Sequence, residues 1–292
     1  MRLVSFVHDG QIRLGAVRKD GSQELVFDLN QIEPRLPADM TSFLESGGSA
    51  HSLAAQVLAH APVKSGTALD AATLKAPVPR PGKILGIGQN NLSHVAESTK
   101  KIVPQFPVVF AKFNNTVIGH KEPIVLPKAS QQIDYEGELG VVIGRCCRHV
   151  PLAEALSCVG GYSVLNDVSA RDYQRRTTQW TLGKSFDTFC PMGPVLVTAD
   201  EIPDPQNLNL RLWVGDEERQ SANTRDMIFS LAQLIETITG VMTLDPGDVI
   251  ATGTPGGVGS SYDPPRWLQT GDVVRVEIER IGVLENPVIA EA

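Results

Sequence analysis

The chain has 292 residues, and its 26 Lys and Arg against 33 Asp and Glu give a formal net charge of −7 at pH 7. At about 150 residues per domain, this length predicts two domains or one large one. The acidic balance argues against nucleic acid as a partner, because phosphate-backbone binding needs a basic surface. The longest apolar runs are well under the ~18 residues that a membrane span requires, so we expect no membrane partner.

The N-terminal segment and the cysteines bear on the cellular compartment. The first residues, MRLVSFVHDGQIR, turn polar by Asp9 and lack the charged start and apolar run of a signal peptide. Cys146, Cys147, Cys158 and Cys190 have the spacing of neither a disulfide framework nor a CxxC metal site. We therefore expect reduced thiols and a cytoplasmic protein.

Residues 1–75 are predicted to form a small N-terminal α/β domain. Their β-rich runs RLVSFV, QIRLGAV and ELVFDL are separated by Asp-Gly pairs, which are strong hairpin signals. The segment SLAAQVLAHA predicts a helix from Ser52 to Ala61. Three prolines in APVPRPG, residues 76–82, favour an extended connection and a domain boundary.

Residues 83–292 are predicted to form a second, β-dominated domain. Its short β-rich runs are KILGIG, PVVFAKF, LGVVIG, GYSVLN, GPVLVTA, LNLRLWV, DVIATG and DVVRVEIE. The clearest helix is IFSLAQLIETITG, where apolar residues recur at helical spacing from Ile228 and Gly240 is expected to end the helix. The fold class predicted for the whole chain is β-dominated α+β.

The first candidate site is the acidic run IDYEGELGVVI, residues 133–143. In one extended strand, Asp134, Glu136 and Glu138 share a face at about 7 Å spacing, where they repel one another unless positive charge lies among them. A hard divalent cation such as Mg²⁺ would supply that charge. The alternative is a solvated acidic edge strand, although the apolar residues that follow should carry the carboxylates inward.

A second acidic centre, Asp167, follows a predicted strand in VLNDVSARDYQ. It would lie on the loop before a short helix, with Ser169 as a candidate N-cap. Asp167 could then be a third protein ligand to the same metal, or it could be an ordinary turn residue.

His94 and Glu97, in GIGQNNLSHVAE, are spaced i,i+3 and would be neighbours on one helix face. A carboxylate beside an imidazole raises its basicity and orients it, as activation of water near pH 7 requires. The alternative is a surface ion pair. The preceding glycines do not form GxGxxG, so we expect no dinucleotide site.

Two later segments could stabilise a substrate anion. Lys184, in WTLGKSFDTF, lies between apolar and aromatic residues and could stabilise charge on a substrate oxygen, unless it is a solvated surface lysine. Gly253 and Thr254, in GDVIATGTPGGVG, belong to a glycine-rich turn whose amides could bind a small carboxylate.

The strings IDYEGELGVVIG, GYSVLNDVSARDYQ, QWTLGKSFDTFCPMGPVLVTADEI and GDVIATGTPGGVG resemble, in order, the fumarylacetoacetate hydrolase family. The resemblance extends from about Lys83 to Val288. It implies a mixed β-roll catalytic domain behind a small N-terminal domain, usually in a homodimer, that holds Mg²⁺ or Mn²⁺.

The resemblance also implies a role for each candidate site residue. The implied metal ligands are Glu136, Glu138 and Asp167, with Asp134 beside them. His94 and Glu97 match a water-activating pair on a mobile lid helix. The positions that resemble substrate-contacting residues are Arg171, Gln174, Lys184, Gly253 and Thr254.

Three positions depart from the family pattern. Asn91 stands where tyrosine is common, Phe113 stands where proline usually follows Lys112, and Arg280 interrupts a terminal glycine motif. None of these changes removes a proposed metal ligand, so they bear on the substrate more than on the chemistry.

The predicted function is a metal-dependent hydrolase that cleaves a C–C bond of an acylpyruvate-like 2,4-dioxo acid, of fumarylpyruvate or fumarylacetoacetate type, to pyruvate and a carboxylic acid. His94, oriented by Glu97, would deprotonate water, and Lys184 would stabilise the oxyanion. One alternative is a decarboxylase or isomerase of an unsaturated 2-oxo diacid, of oxaloacetate or 2-hydroxyhepta-2,4-diene-1,7-dioate type, on the same metal site. Another is a non-catalytic binder of small acids.

Overall fold

The computed structural model describes residues 1–97 and 102–292. Strands predominate over helices in these residues, which confirms the β-dominated α+β prediction. They form a 12-stranded mixed sheet, a 5-stranded sheet and a 2-stranded pair. No helix among the described residues is both long and apolar enough to cross a bilayer.

The N-terminal part consists of a small set of strands and three helices. The strands are β1 (Arg2–His8), β2 (Gln11–Asp20), β3 (Gln23–Asp28), β4 (Thr67–Ala68) and β5 (Leu74–Lys75). The helices are α1 (Leu29–Ile32), α2 (Met40–Glu45) and α3 (Gly47–His60).

The predicted hairpins are present. Asp9 and Gly10, with φ of 48° and 74°, join β1 to β2, as a turn with two positive φ angles requires. Helix α3 begins at Gly47, five residues before the predicted Ser52. Ala50 of this added turn is buried, as is Ala54 one turn later, so packing outweighs the low helix propensity of the glycines at the start of the helix.

The rest of the chain contributes most of the strands. The strands are β6 (Ile84–Gly88), β7 (Val108–Lys112), β8 (Val117–Ile118), β9 (Ile124–Leu126), β10 (Ile133–Asp134), β11 (Gly137–Ile143), β12 (Val159–Asn166), β13 (Ser169–Ala170), β14 (Cys190–Thr198), β15 (Asn209–Val214), β16 (Glu217–Asn223), β17 (Val249–Ala251), β18 (Val273–Ile278) and β19 (Gly282–Ala290). The helices are α4 (Leu92–Glu97), α5 (Arg171–Gln174), α6 (Thr181–Lys184) and α7 (Leu231–Val241).

The large sheet has the order β4-β3-β2-β1-β14-β12-β11-β17-β6-β7, with β5 beside β1 and β8 beside β14. Strand β1 pairs antiparallel with β14, with Leu3 opposite Leu196. The N-terminal strands therefore belong to the same sheet as strands that follow residue 83. The division into domains 1–75 and 83–292 stays a prediction.

Helix α7 shows how side-chain capping sets a helix boundary. Ser230 accepts a hydrogen bond from the Gln233 N–H, and the Gln233 side chain accepts one from the Ser230 N–H. This capping box begins the helix at Leu231 rather than at the predicted Ile228. The helix ends at Val241, one residue beyond the predicted Gly240.

The acidic run forms two strands rather than one. Strand β10 pairs with β13, whereas β11 pairs with β12 and β17, so the chain changes partners at Tyr135 and Glu136. The prediction that Asp134, Glu136 and Glu138 line one continuous strand face is therefore wrong. The expected cap of α5 is also wrong, because Ala170 is the N-cap and the Ser169 hydroxyl donates to the Asp167 carbonyl.

Candidate active site

Three buried carboxylates meet where β11 lies beside the end of β12. Glu136, Glu138 and Asp167 each offer an oxygen within 4.8 Å of the others. Two hydrogen bonds help to set this arrangement: the Asp167 N–H donates to the Glu136 carbonyl over 2.8 Å, and the Glu136 N–H donates to the side-chain oxygen Asn166 Oδ1 over 2.9 Å. All three residues are at most 4 % exposed, which excludes a solvated acidic edge.

Two basic side chains neutralise part of this negative charge. Lys184 Nζ lies 2.6 Å from Glu136 Oε2 and 2.5 Å from Asp167 Oδ2, and Arg171 Nη1 lies 2.6 Å from Glu136 Oε1. Lys184 is buried, so it is not a surface lysine. Burial raises the pKa of Glu136, but Lys184 and Arg171 outweigh it and lower that pKa to about 2.

Glu138 has a different electrostatic environment. Its Oε2 accepts a 2.7 Å hydrogen bond from the Gly253 N–H, and it forms no ion pair with any described residue. Burial and the negative charges of Asp167 and Glu136 raise the pKa of Glu138 well above its ordinary 4.5. No described cationic residue therefore pairs with Glu138 to offset its negative charge.

The three carboxylates fit a hard divalent cation. Their oxygens are the ligands that Mg²⁺ and Mn²⁺ prefer, and a bound cation would offset the charge that burial makes unfavourable at Glu138. The site thus suits the metal that the sequence predicts, without choosing between the two ions.

Lys112, at the end of β7, is a site residue that the sequence analysis did not identify. Its Nζ lies 2.6 Å from Asp167 Oδ1 and donates to the Lys184 carbonyl over 2.5 Å, and the side chain is buried. Its signal in the sequence is a lysine within the apolar run PVVFAKF, at the last position of β7. Lys112 and Lys184 together hold both oxygens of Asp167.

Asp134 lies beside the carboxylate group but does not belong to it. Its Oδ2 accepts a 2.8 Å hydrogen bond from Arg171 Nε, and its oxygens also accept from the N–H groups of Gly259 and Ser260. Asp134 therefore orients Arg171, which in turn contacts Glu136.

A cavity of about 730 Å³ opens onto this centre. The predicted site residues that line it are His94, Glu97, Glu136, Glu138, Arg171, Gln174, Lys184 and Thr254. Asp167 and Gly253 are not among its lining residues in the described part of the chain. Residues from four segments far apart in sequence thus share one cavity.

His94 and Glu97 lie on α4 at the edge of this cavity. His94 Nδ1 is 3.7 Å from Glu97 Oε2, and Glu97 Oε1 accepts a 2.6 Å hydrogen bond from the Gly257 N–H. Ser93 Oγ accepts from the Gly256 N–H over 2.8 Å. These contacts connect α4 to the glycine-rich turn that follows β17.

The same contacts occupy the amides that the sequence analysis assigned to a substrate carboxylate. The N–H groups of Gly253, Gly256 and Gly257 donate to side chains of this chain. The Thr254 hydroxyl donates to the Gly137 carbonyl and accepts from Gln220 Nε2. Substrate binding by Gly253 and Thr254 stays a prediction, and it requires some of these bonds to be exchanged.

Of the three departures from the family pattern, Asn91 contacts the helix that carries His94. Its Oδ1 accepts hydrogen bonds from the Ser93 N–H and Oγ. Phe113 is exposed, and Arg280 donates to the Glu201 carbonyl. The residue that replaces tyrosine therefore supports the start of α4.

The fold and the site define a mixed-sheet protein with a buried carboxylate centre suited to a divalent metal. The family described as "Fumarylacetoacetate (FAA) hydrolase C-terminal" matches residues 83–289. The chain belongs to this family, and it is an enzyme of the corresponding superfamily.

Relatives whose names describe different reactions resemble this chain. "Oxaloacetate tautomerase FAHD2A, mitochondrial" of Homo sapiens is 43% identical over 292 residues, which cover 99% of this chain and 92% of the relative. The structure of 5-carboxymethyl-2-hydroxymuconate delta-isomerase from Mycobacterium smegmatis matches with a TM-score of 0.79 and 34% identity over 100% of both chains. Maleylpyruvate hydrolase from Sphingobium sp. SYK-6, in complex with manganese (II) ion and pyruvate, matches with a TM-score of 0.83 and 32% identity over 100% of both chains.

Proposed function

We propose that this chain is a divalent-metal-dependent tautomerase or isomerase of a 2-oxo dicarboxylic acid of the oxaloacetate type. The observation that carries the proposal is one cavity lined by Glu136, Glu138, Lys184 and the His94–Glu97 pair. The similarity to a protein named oxaloacetate tautomerase favours this reaction over the C–C hydrolysis that the sequence analysis put first.

Glu136, Glu138 and Asp167 would hold the metal. When bound, Mg²⁺ or Mn²⁺ would supply Lewis-acid polarisation of the substrate's 2-oxo group. That polarisation would stabilise negative charge on the carbon beside the 2-oxo group, where it arises by proton removal in a tautomerase and by C–C cleavage in a hydrolase.

The chain's own residues would move the proton and stabilise the charge. In the keto-to-enol direction His94, oriented by Glu97, would take a proton from the carbon beside the 2-oxo group and give it to the 2-oxo oxygen; in the reverse direction it would take the enol proton and give it to that carbon. Lys184, which lines the cavity beside Glu136, would stabilise negative charge on the substrate oxygen. Glu97 is itself held by the Gly257 N–H, so the pair is anchored to the turn.

The test is enol–keto exchange of oxaloacetate, followed by NMR in deuterium oxide with metal-stripped protein and with protein given Mg²⁺ or Mn²⁺. We expect exchange at the carbon beside the 2-oxo group to be faster with metal, without C–C cleavage. Glu138→Gln should abolish the metal-dependent rate, and His94→Ala should lower kcat by about 10²-fold or more. The control is Glu154→Gln, which alters an exposed carboxylate outside the cavity.

C–C hydrolysis is the second candidate, and the His94–Glu97 pair favours it because hydrolysis needs activated water. The same protein would then be given maleylpyruvate or fumarylpyruvate. Pyruvate plus a carboxylic acid carrying oxygen from labelled water, with no exchange on oxaloacetate, would replace the tautomerase by a hydrolase. Release of CO₂ from oxaloacetate would indicate a decarboxylase, and metal-dependent binding without turnover would indicate a binder.

A further inference from the structure

Most charged side chains that line the cavity already have partners within the chain. Glu136 contacts Arg171 and Lys184, and His94 lies beside Glu97. Arg175 also lines the cavity, and no residue of the described chain forms an ion pair or hydrogen bond with its guanidinium. Arg175 is therefore a cavity-lining cation available to an external anion.

The position of Arg175 follows from α5. The Arg175 N–H donates to the Arg171 carbonyl over 3.1 Å, so the helical turn of α5 continues through Arg175. Residues spaced i,i+4 lie on the same helix face, about 6 Å apart along the axis. Arg171 is committed to Asp134 and Glu136, whereas Arg175 lies one turn further along the helical segment.

The adjacent Arg176 has a different environment. Its guanidinium stacks on the Tyr173 ring at 3.5 Å and lies 3.8 Å from Asp172 Oδ2, and it is not among the described residues that line the cavity. Arg175 and Arg176 are both exposed and have the same charge. The difference between them is orientation toward the cavity.

We propose that Arg175 determines specificity by binding the distal carboxylate of a dicarboxylic 2-oxo acid, the one that does not face Glu136 and Glu138. The assignment rests on the proposed function, which puts the 2-oxo end of the substrate at Glu136 and Glu138. A guanidinium can donate two parallel hydrogen bonds to a carboxylate. Arg175 has no internal ion pair to break, so its full interaction energy with a second carboxylate would favour diacids over monoacids.

The test compares two unreactive four-carbon ligands that differ only at the distal group. Malate carries the second carboxylate, and 2-hydroxybutyrate carries a methyl group in its place. Binding to the Mg²⁺-loaded protein is measured by titration calorimetry. We expect Arg175→Met to weaken malate binding by about 10-fold and to leave 2-hydroxybutyrate binding unchanged. A loss of about 10-fold is near the lower end of the range for a hydrogen bond to a charged group, because the Arg175 side chain is exposed.

Two further variants complete the experiment. Arg175→Lys keeps the charge but not the fork, so it should bind malate with an affinity between those of Arg175→Met and the unmodified protein. Arg176→Met is the matched control and should leave both affinities unchanged. A similar malate loss in Arg176→Met would point to long-range charge rather than contact and would overturn the assignment.

Three other results would also overturn it: equal loss of both ligands in Arg175→Met, no loss of malate, or no preference for malate in the unmodified protein. Oxaloacetate exchange is measured on the same preparations. If malate binding depends on Arg175 but oxaloacetate is not exchanged, the proposed function fails and the assignment stands. If oxaloacetate is exchanged and malate binding does not depend on Arg175, the assignment alone fails.

Discussion

Asp167 is held by two ammonium groups, Lys184 on one oxygen and Lys112 on the other. Buried charges of this kind cost several kcal/mol each to desolvate, and attraction offsets that cost only when geometry and hydrogen bonding are good. Lys112 meets this condition by also donating to the Lys184 carbonyl. The arrangement ties the two lysines together and fixes the carboxylate between them, so it favours a rigid metal site over a flexible one.

Glu138 makes metal binding dependent on pH. Its raised pKa means that, without metal, it carries a proton between pH 4.5 and that raised value. A cation that binds there must displace the proton, so metal affinity should rise with pH through this window. Calorimetry in two buffers of different protonation enthalpy should show that binding releases a proton.

In Glu138→Gln, which has no proton to release at this position, the metal binding that remains should have the same enthalpy in both buffers. A binding enthalpy for the unmodified protein that is the same in both buffers would contradict the prediction.

The stability of the metal-free protein should change with pH in the opposite direction to its metal affinity. The folded metal-free state binds more protons than the unfolded state in this window, so its stability should fall as pH rises through it.

At the scale of elements, β16 of the 5-stranded sheet supports the metal site through Gln220. Its Oε1 accepts from the Gly137 N–H over 2.9 Å, between the residues Glu136 and Glu138. Its Nε2 donates to Thr254 Oγ1 and to the Pro255 carbonyl, each over 2.9 Å. The smaller sheet therefore helps to fix both the start of β11 and the glycine-rich turn.

Gln220→Leu should weaken metal binding as well as stability. It would leave the buried Gly137 N–H without a partner, at a cost of about 1–3 kcal/mol, and would free the strand segment between two ligands. Metal titration and thermal unfolding of the metal-free protein test the two effects, with the exposed Gln56→Leu as control. Lower stability with unchanged metal affinity would mean that Gln220 contributes to packing alone.

At the scale of the whole molecule, one buried apolar cluster joins the two predicted domains. From the N-terminal part it contains side chains of β1 to β3, α2 and α3, including Leu3 and Phe43. From the rest of the chain it contains Val142, Leu165 and Leu196, among others. Because β1 also pairs with β14, we expect the N-terminal part and the metal site to unfold together.

Leu3→Ala tests this cooperativity. Leu3 is fully buried, so its truncation should destabilise the protein by about 2–5 kcal/mol. Denaturant unfolding is followed by circular dichroism and by metal binding, and both midpoints should decrease together. Val63→Ala, at an exposed position, should change stability by less than about 0.5 kcal/mol. Two separate transitions, with metal binding retained through the first, would contradict the prediction.

The sequence by itself determined features that depend on neighbouring residues. The Asp-Gly turn after β1 follows from the φ angles that only certain residues adopt easily. The i,i+3 spacing of His94 and Glu97 places them together on a helix face. Glu136 and Glu138 could be recognised because their acidic run leads directly into an apolar strand.

Tertiary structure decided which groups each of these residues meets. Lys112 reaches Asp167 from a strand 55 positions earlier, and the Gly257 amide reaches Glu97 across 160 positions. The acidic run divides into β10 and β11 because its two parts pair with different strands, and Arg175 differs from Arg176 only in what surrounds it. Local periodicity carries no information about such pairings, because their free energy comes from contacts between segments that meet only when the whole sheet has formed.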